Sequence, residues 1–450
     1  MFGYFQTFSY YLNNNYLYNK RKVLKLNNKG LIAIIVSILI ITAAFVTLIL
    51  VNMPKKNNPN EFTIPLADDS NSTAESISSL VDSINDFSFN FYKEIQSNEK
   101  GNIFFSPYSI FVAFSMAYEG ARGNTAIEMQ NVLNFLQNDS ATLGSFGRIY
   151  NLLNQNQESY TISTANAFWA NKDYSFLKSY LNLLINFYMA EANELDFSKN
   201  VDAANIINSW IEEKTHNKIK DMIEENMLSD LTKLVLTNAI YFKGLWAKPF
   251  NPENTYETEF NLNSGQKIDI DMMRSDRDSS NFNYTENNDL QILKLYYNAN
   301  NLSMIIILPK ENNISIAESF INSNNLTNLN NDFNETEVSV QIPKFKFENK
   351  YDLINTMVNM GIRDAFSPGI ADFSGMDGTY NLFIGKALHQ SFIEVNEEGT
   401  EAAAATSIMM ELTAMPDLKY FIADHPFIFL IQHEETGAIL FMGRVVDPSE

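Results

Sequence analysis

The longest apolar run in the chain spans residues 31–51 and contains no charged residue. A helix of this length crosses the ~30 Å hydrocarbon core of a bilayer at about 1.5 Å per residue. More bases precede the run than follow it closely, which places the N-terminal tail in the cytosol under the positive-inside rule. The run exceeds the apolar core of an ordinary signal peptide, and no A-x-A cleavage site follows it. We predict an uncleaved signal anchor, with a cleaved signal peptide as the alternative.

Two stretches carry apolar residues at the spacing of an amphipathic helix. The first follows Ser72-Thr73-Ala74-Glu75, which has the form of a capping box. Such stripes belong to a core far more often than to a cofactor site. Their apolar positions are Ile77, Leu80, Val81, Ile84, Phe87 and Phe91 in the first helix, and Ala203, Ile206, Ile207, Trp210 and Ile211 in the second.

Strand patterns are concentrated in the second half of the chain. The β-branched run 304–308 ends at Pro309, and apolar residues alternate with polar ones over 338–342. Two apolar runs at 427–431 and 438–442 flank a turn sequence and predict a hairpin. Helices early and strands late indicate one large α+β domain.

These patterns divide the chain into four segments. We predict a cytosolic tail at 1–30, a transmembrane anchor at 31–52, a flexible polar linker at 53–72 and the α+β domain at 73–450. The protein is then a single-pass protein of the cell membrane, with its domain on the extracellular side.

Composition narrows the choice of partners and chemistry. The formal net charge is −21, and the bases cluster before the apolar run, so we exclude nucleic acid, whose phosphates require a basic face. The absence of cysteine excludes disulfides, a thiol nucleophile and cysteine-bound metals. A hydrophobic content of 45% is sufficient for a large core.

The chain lacks the common catalytic motifs G-x-S-x-G, H-E-x-x-H, G-x-x-x-x-G-K and G-x-G-x-x-G. We interpret His216 and His433 as solvated, and His389 and His425 as hydrogen-bonded structural residues. A Ser-His-Asp site does not need members that are close in sequence, so a serine hydrolase remains a distant alternative. We predict a protein that is not an enzyme and that holds no cofactor or metal.

One segment, residues 400–413, fits more than one secondary structure. Its even positions hold threonine, alanine and then larger apolar residues, whereas both glutamates and the serine fall on odd positions. This alternation predicts a half-buried strand. Four consecutive alanines beside Glu, Met and Leu also favour a helix, so the residue pattern alone leaves both open.

Residues 394–406, EVNEEGTEAAAAT, resemble the hinge of inhibitory serpins. Further motifs in the family's order extend the resemblance over about residues 73–450. They are NIFFSPYS at 102–109, GARGNT at 120–125, NAIYFKGLW at 238–246, ADFSGM at 371–376 and DHPF at 424–427.

The resemblance implies the serpin fold, with three β-sheets, eight to nine helices and an exposed reactive centre loop. It implies a suicide-substrate inhibitor: a serine protease cuts the loop and forms an acyl-enzyme. The cut loop then inserts into the main sheet and traps the protease as a covalent complex. A non-inhibitory serpin that acts as a binding or chaperone-like module is the main alternative.

The resemblance also assigns residues. The family's spacing places the reactive bond at Thr413–Ala414, where small and apolar residues suit a chymotrypsin-, elastase- or subtilisin-like protease. Motif position implies that Ser106, Asn238 and His389 lie under the opening sheet. Motif position also implies that Trp246 lies near the first point of insertion. We expect the protein to be a monomer. The implied hinge residues are Glu397, Gly399, Thr400, Ala402, Ala403, Ala404, Ala405 and Thr406.

Overall fold

The computed structural model describes residues 66–135, 140–154, 160–276, 281–400 and 418–450. The predicted anchor, the hinge residues 402–406 and the predicted reactive bond at Thr413–Ala414 all lie outside these ranges. The described residues belong to one compact unit, Ile64–Glu450. None of the helices in these ranges combines the length and the apolar character that a bilayer crossing needs.

Ten α-helices lie in the described ranges, one more than the upper number that the resemblance implied, and the last is a single turn. They are α1 (Ala74–Gln96), α2 (Pro107–Gly120), α3 (Gly123–Leu133), α4 (Ser140–Leu153), α5 (Lys178–Leu183), α6 (Asn200–Lys214), α7 (Ile314–Phe320), α8 (Ser323–Asp332), α9 (Leu353–Met360) and α10 (Ser374–Asp377). A short π-helical turn, Leu184–Tyr188, follows α5.

Helix α1 is the first predicted helix, but its cap lies one residue later than predicted. Thr73 is the N-cap, and its hydroxyl accepts the Ser76 N–H at 3.1 Å. The Ser76 hydroxyl accepts the Thr73 N–H at 2.9 Å in return, so a serine takes the place of the expected glutamate in the capping box. The predicted apolar stripe of α1 faces the core, and only Ile77 is partly exposed.

The predicted linker ends earlier than residue 72. Ala67 is buried, and its N–H and C=O both hydrogen-bond to the Asn151 side chain of α4, at 2.8 and 3.0 Å. Gly147 makes room for this segment, because a Cβ there would lie 2.3 Å from the Asp68 carbonyl oxygen. Residues 66–72 therefore pack as part of the folded domain.

Sixteen strands lie in the described ranges and form two hydrogen-bonded sheets. They are β1 (Ile103–Phe105), β2 (Tyr160–Asn171), β3 (Glu191–Leu195), β4 (Leu234–Leu245), β5 (Tyr256–Asn261), β6 (Lys267–Arg274), β7 (Asn281–Glu286), β8 (Leu290–Tyr296), β9 (Leu302–Pro309), β10 (Asn334–Pro343), β11 (Phe345–Asp352), β12 (Ile384–Asn396), β13 (Gly399–Thr400), β14 (Lys419–Ile422), β15 (Phe427–His433) and β16 (Ile439–Val445).

The six-stranded sheet, which we call the main sheet, has the order β11-β12-β13-β4-β2-β3. The other sheet has the order β1-β16-β15-β9-β8-β7-β10-β6-β5, with β14 attached to β10. The resemblance implied three sheets. Only two are separate in hydrogen bonding, because the first part of β10 pairs with β7 and its second part pairs with β6 and β14. The predicted strands in β9 and β10 and the β15–β16 hairpin are confirmed.

The centre of the main sheet is buried on both faces. Val235 of β4 packs with Ile207 and Ile211 of α6 in one apolar cluster. Its neighbours Leu236 and Ile240 belong to the larger core on the opposite face. A strand between two apolar layers has a nearly continuous apolar sequence, and β4 is such a strand. Its partners in the sheet therefore lie deep in the domain.

Candidate functional site

The candidate site is the seam where β12 and β4 meet in the main sheet. The two strands run parallel, with register partners from Ile384 opposite Leu234 to Phe392 opposite Tyr241. Beyond this point a third strand lies between them. The two-residue strand β13 pairs antiparallel with 395–396 of β12 on one side and with 244–245 of β4 on the other. The start of the hinge segment is therefore already a strand in this structure.

Side chains around β13 hold it in place. Thr400 is fully buried, and its hydroxyl shares a 2.8 Å hydrogen bond with the Tyr297 hydroxyl. Burial raises the pKa of Tyr297, so the phenol keeps its proton. The Tyr297 ring stacks on Trp246 with centroids 4.6 Å apart. The Trp246 indole N–H donates to the Asn396 carbonyl at 3.0 Å, and its backbone N–H donates to the Glu398 carbonyl at 2.8 Å.

Two glycines give β13 the space it needs. A Cβ on Gly399 would lie 2.0 Å from the Gly244 carbonyl oxygen, which is far inside van der Waals contact. A Cβ on Gly244 would in turn lie 2.7 Å from ring atoms of Phe242 and Tyr297. Both positions therefore require glycine if the hinge is to lie this close to β4.

The Glu397 side chain connects the turn before β13 to the edge of the other, ten-stranded sheet. Its carboxylate accepts a 2.8 Å hydrogen bond from the Thr255 hydroxyl and lies 3.2 Å from the Lys344 ammonium. Burial opposes ionisation, but the Thr255 hydroxyl, the residue's own backbone N–H and the Lys344 charge together hold the pKa of Glu397 below its ordinary value. The carboxylate is therefore charged at neutral pH. The backbone carbonyl of Glu397 also accepts a hydrogen bond from the Phe250 N–H at 2.7 Å.

The structure brings Ser106, Asn238 and His389 together beneath the seam, and all three are fully buried. The Ser106 N–H donates to His389 Nε2 at 3.1 Å. Since Nε2 accepts, Nδ1 carries the proton and donates to the Asn238 side-chain oxygen. Burial lowers the pKa of His389 to about 3, so the imidazole is neutral.

Two further residues complete this cluster, which we call the seam cluster: Ser106, Ser109, Asn166, Asn238 and His389. The Asn238 amide donates to the Ser109 hydroxyl at 2.5 Å and to the Asn166 side-chain oxygen. The sequence reasoning missed both residues. Ser109 stands in the same motif as Ser106, so the motif could have indicated it. Asn166 lies on β2 without a distinguishing local pattern.

The seam cluster differs from a hydrolytic Ser-His-Asp site. The Ser106 hydroxyl donates to the Leu440 carbonyl at 2.6 Å rather than to His389. Nucleophilic catalysis requires the serine hydroxyl to hydrogen-bond to the imidazole and to reach a substrate, and these buried groups do neither. Among the described residues, no group of three or more His, Cys, Asp or Glu could hold a metal ion.

The other histidines fit the sequence interpretation except for one. His216 is exposed, and His425 forms two hydrogen bonds of 2.7 Å. The interpretation of His433 as solvated is wrong: it is only 3% exposed. Burial lowers the pKa of His433, and its Nδ1 lies 3.0 Å from the Thr436 hydroxyl. The turn that follows it folds back over the ring.

Comparisons with known proteins agree with this architecture. The profile of the family Serpin (serine protease inhibitor) matches residues 82–448, and the chain belongs to the serpin family. A serpin-like protein of Thermococcus kodakarensis is 42% identical over 376 residues, covering 82% of this chain and 86% of that protein. The leukocyte elastase inhibitor of Xenopus laevis is 38% identical over 374 residues, covering 80% of this chain and 97% of that one.

Among solved structures, human thyroxine-binding globulin complexed with thyroxine superposes with a TM-score of 0.76 at 30% identity. The match covers 83% of this chain and all of that chain, 100%. The family thus includes proteins named for protease inhibition and for binding a small molecule, and membership alone does not choose between these two functions.

We predict that Gly399→Ala displaces β13, because the new methyl group collides with the Gly244 carbonyl. Hydrogen exchange of the amides of 396–400 is expected to become roughly tenfold faster or more, as a packing cost of about 1–3 kcal/mol implies. Gly385→Ala on β12 is the matched control, because the nearest atom to its Cβ is 3.6 Å away. Equal exchange rates in the two variants would contradict the assignment of β13.

We also predict that acid destabilises the domain through His389. The unfolded imidazole binds a proton below its pKa of about 6.5, whereas the folded one stays neutral down to about 3. Stability is therefore lost as the pH falls through this window, by about 2 kcal/mol between pH 7 and pH 5. Denaturant unfolding measures this loss, and His389→Gln is expected to lack it. If His389→Gln loses as much stability between pH 7 and pH 5 as the wild type does, His389 is not the titrating group.

Proposed function

We propose that this protein inhibits a serine protease as a suicide substrate. The protease cuts the segment that follows Thr400, at Thr413–Ala414, and forms an acyl-enzyme. The cut segment then extends β13 along the seam between β12 and β4, and the attached protease is trapped as a covalent complex. Small and apolar residues around the cut suit a chymotrypsin-, elastase- or subtilisin-like enzyme, and we propose that the inhibitor acts as a monomer without metal or cofactor.

The observation that carries the proposal is the position of β13. The strand lies between β12 and β4, so further residues of the same segment can continue it without a change of direction. Thr400 points into the core, which fixes the alternation: even positions face inward and odd positions face outward. Ala402 and Ala404 are then the next inward residues, and both are small. The name of the leukocyte elastase inhibitor, a relative, also supports inhibition.

The same alternation accounts for the free energy that would drive insertion of the cut segment into the main sheet. Each added ladder hydrogen bond contributes a net free energy of about 1 kcal/mol. The inward residues Ile408, Met410 and Leu412 each contribute about 1.5–3 kcal/mol of apolar burial. Fixing the backbone of each inserted residue costs conformational entropy, which offsets part of this gain. The balance favours insertion once the cut has released the C-terminal tether.

We predict that Ala404→Arg converts the inhibitor into a substrate, because its guanidinium would have to enter the core between the two strands. Ala403→Arg is the matched control, since its side chain faces outward in the same strand. Incubation with a panel of serine proteases and denaturing gels measures the outcome. Wild type and Ala403→Arg are expected to form a stable covalent complex with one protease, and Ala404→Arg is expected to be cleaved without a complex.

Two outcomes would contradict this proposal. A stable complex with Ala404→Arg would show that trapping does not require insertion. Cleavage of wild type by every protease of the panel, with no complex, would favour a binding function of the kind named for thyroxine-binding globulin. Mass spectrometry of the released C-terminal peptide identifies the cut bond directly.

We propose further that residues 31–52 anchor the protein in the cell membrane, with 1–30 in the cytosol and the serpin domain outside. The argument rests on the uncharged apolar run and the bases before it.

We predict that the double substitution Ile38→Lys and Ile41→Lys releases the protein from membranes at alkaline pH, because each central lysine costs about 2.5–3.5 kcal/mol. The control pair Ile38→Leu and Ile41→Leu is expected to stay in the pellet. Release of the wild-type protein from membranes at alkaline pH would contradict the proposal that residues 31–52 form an anchor.

A further inference from the structure

Three large apolar side chains are exposed at the end of the main sheet where β4 and β12 begin. Leu231 is 74% exposed and stands three positions before β4, and Tyr380 is 69% exposed and stands four positions before β12. Leu177, which follows the end of β2, is exposed as well. We call Leu177, Leu231 and Tyr380 the pole patch.

The three residues belong to segments that pack against one another. The Asn171 N–H donates to the Lys233 carbonyl at 2.9 Å, which joins the segment after β2 to the segment before β4. The Asn171 side-chain amide also donates to the Thr232 carbonyl at 3.5 Å. The Lys233 ammonium lies over the Tyr174 ring, 5.7 Å from its centre. Leu177 and Leu231 are therefore on neighbouring segments.

The segment before β12 contacts both of the others. A Cβ on Gly385 would lie 3.8 Å from the Phe383 ring and 3.9 Å from the Thr232 methyl group, so the approaches to β4 and β12 meet there. A Cβ on Gly378 would lie 3.8 Å from the Leu177 side chain. The pole patch is thus built on three adjoining segments rather than on isolated positions.

Charged residues of both signs flank the pole patch along the chain. Lys172, Asp173, Lys178 and Asp230 are all exposed. Single exposed apolar side chains are ordinary on a protein surface, whereas neighbouring ones with a polar rim are typical of a surface that binds another protein.

The register of β13 defines where a strand inserted along the seam would end. Thr400 lies opposite Gly244, and β13 runs antiparallel to both of its neighbours. Each further residue of such a strand moves one position back along β4 and β12. Thr413 therefore comes opposite Leu231. The same count along β12, with its bulge after position 384, ends within two residues of Tyr380.

This point lies beyond the end of the sheet. Since β4 begins at Leu234, pairing with it ends at position 410, and positions 411–413 extend further by about 3.3 Å each, roughly 10 Å in all. The catalytic serine of a protease lies in a cleft of its surface. A protease joined to Thr413 through that serine therefore lies against this end of the domain.

We propose that the pole patch is the surface on which the acylated protease rests in the trapped complex, and that this contact slows release of the enzyme. The inference rests on the proposed function and adds the place where the enzyme is held. Burial of the three side chains against the protease stabilises the complex, because it removes their apolar surface from water.

Release of the protease is a hydrolysis. Water attacks the carbonyl carbon of Thr413, the bond to the serine oxygen breaks, and that oxygen takes up a proton while Thr413 keeps a carboxylate. The catalytic groups of the protease have to realign around this ester. An enzyme held on the pole patch has less freedom to do so, and contacts that favour the docked state lower the fraction that can react.

The test compares two double variants of the full-length protein, Leu231→Ser with Tyr380→Ser and the control Leu66→Ser with Tyr420→Ser. The control removes a leucine and a tyrosine that are also exposed, by 73% and 57%, and that lie outside the pole patch. Chymotrypsin, elastase and subtilisin are each incubated with wild type, and a protease that forms the covalent complex is used throughout. The purified complexes are then followed by the return of protease activity.

The patch variant is expected to form the complex in the same yield as wild type, because the hinge and the cut bond are unchanged. Its complex is expected to release active protease at least fivefold faster, as the loss of two apolar contacts implies. The control is expected to match wild type in both measurements.

Equal release rates for wild type and the patch variant would overturn this inference and leave inhibition intact. Faster release from the control as well would also overturn it, because the effect would not be specific to the pole patch. Absence of a complex with wild type would overturn the proposed function and this inference together. A dimer of the unreacted protein that the patch variant abolishes would assign the surface to a second copy of the chain instead.

Discussion

The hydrogen bond between Asn238 and His389 is the interaction on which the seam depends. The two residues are register partners on adjacent strands, Asn238 on β4 and His389 on β12. Their side chains also reach the helix below, because Ser106 caps α2 and donates its backbone N–H to the imidazole. These two hydrogen bonds of His389 together fix both strands to each other and to the helix beneath the sheet.

The buried position makes this contact strong but sensitive to proton binding. In a low-dielectric interior, a polar cluster is stable only if its members satisfy one another. The neutral imidazole does so with one donor and one acceptor, and a second proton would remove the acceptor for Ser106. A buried histidine in this position favours one protonation state, one tautomer and one register of the two strands.

The sequence predicted those parts of the fold that follow from local patterns. A β-branched run located β9, alternation located β10 and a turn sequence located the β15–β16 hairpin, whereas the family resemblance placed Ser106, Asn238 and His389 under the same sheet. Contacts between distant segments carry no such pattern. Thr400 meets Tyr297 across 103 positions, and the burial of His433 depends on how a turn folds back. The position of the Thr73 cap shows the ordinary error of one residue at a helix end.

The start of the hinge shows how tertiary contacts decide the conformation of a residue that local propensity leaves open. Propensity alone left helix and strand open for residues 400–413, and β13 shows that the first of them, Thr400, is paired with a strand on both sides. In the proposed insertion, one parallel ladder between β4 and β12 is replaced by two antiparallel ladders, so the number of hydrogen bonds rises, and antiparallel pairing is slightly the more stable kind. The cost is the separation of Asn238 from His389. In this proposal the barrier to insertion lies in the seam cluster, whereas the gain lies in the ladders.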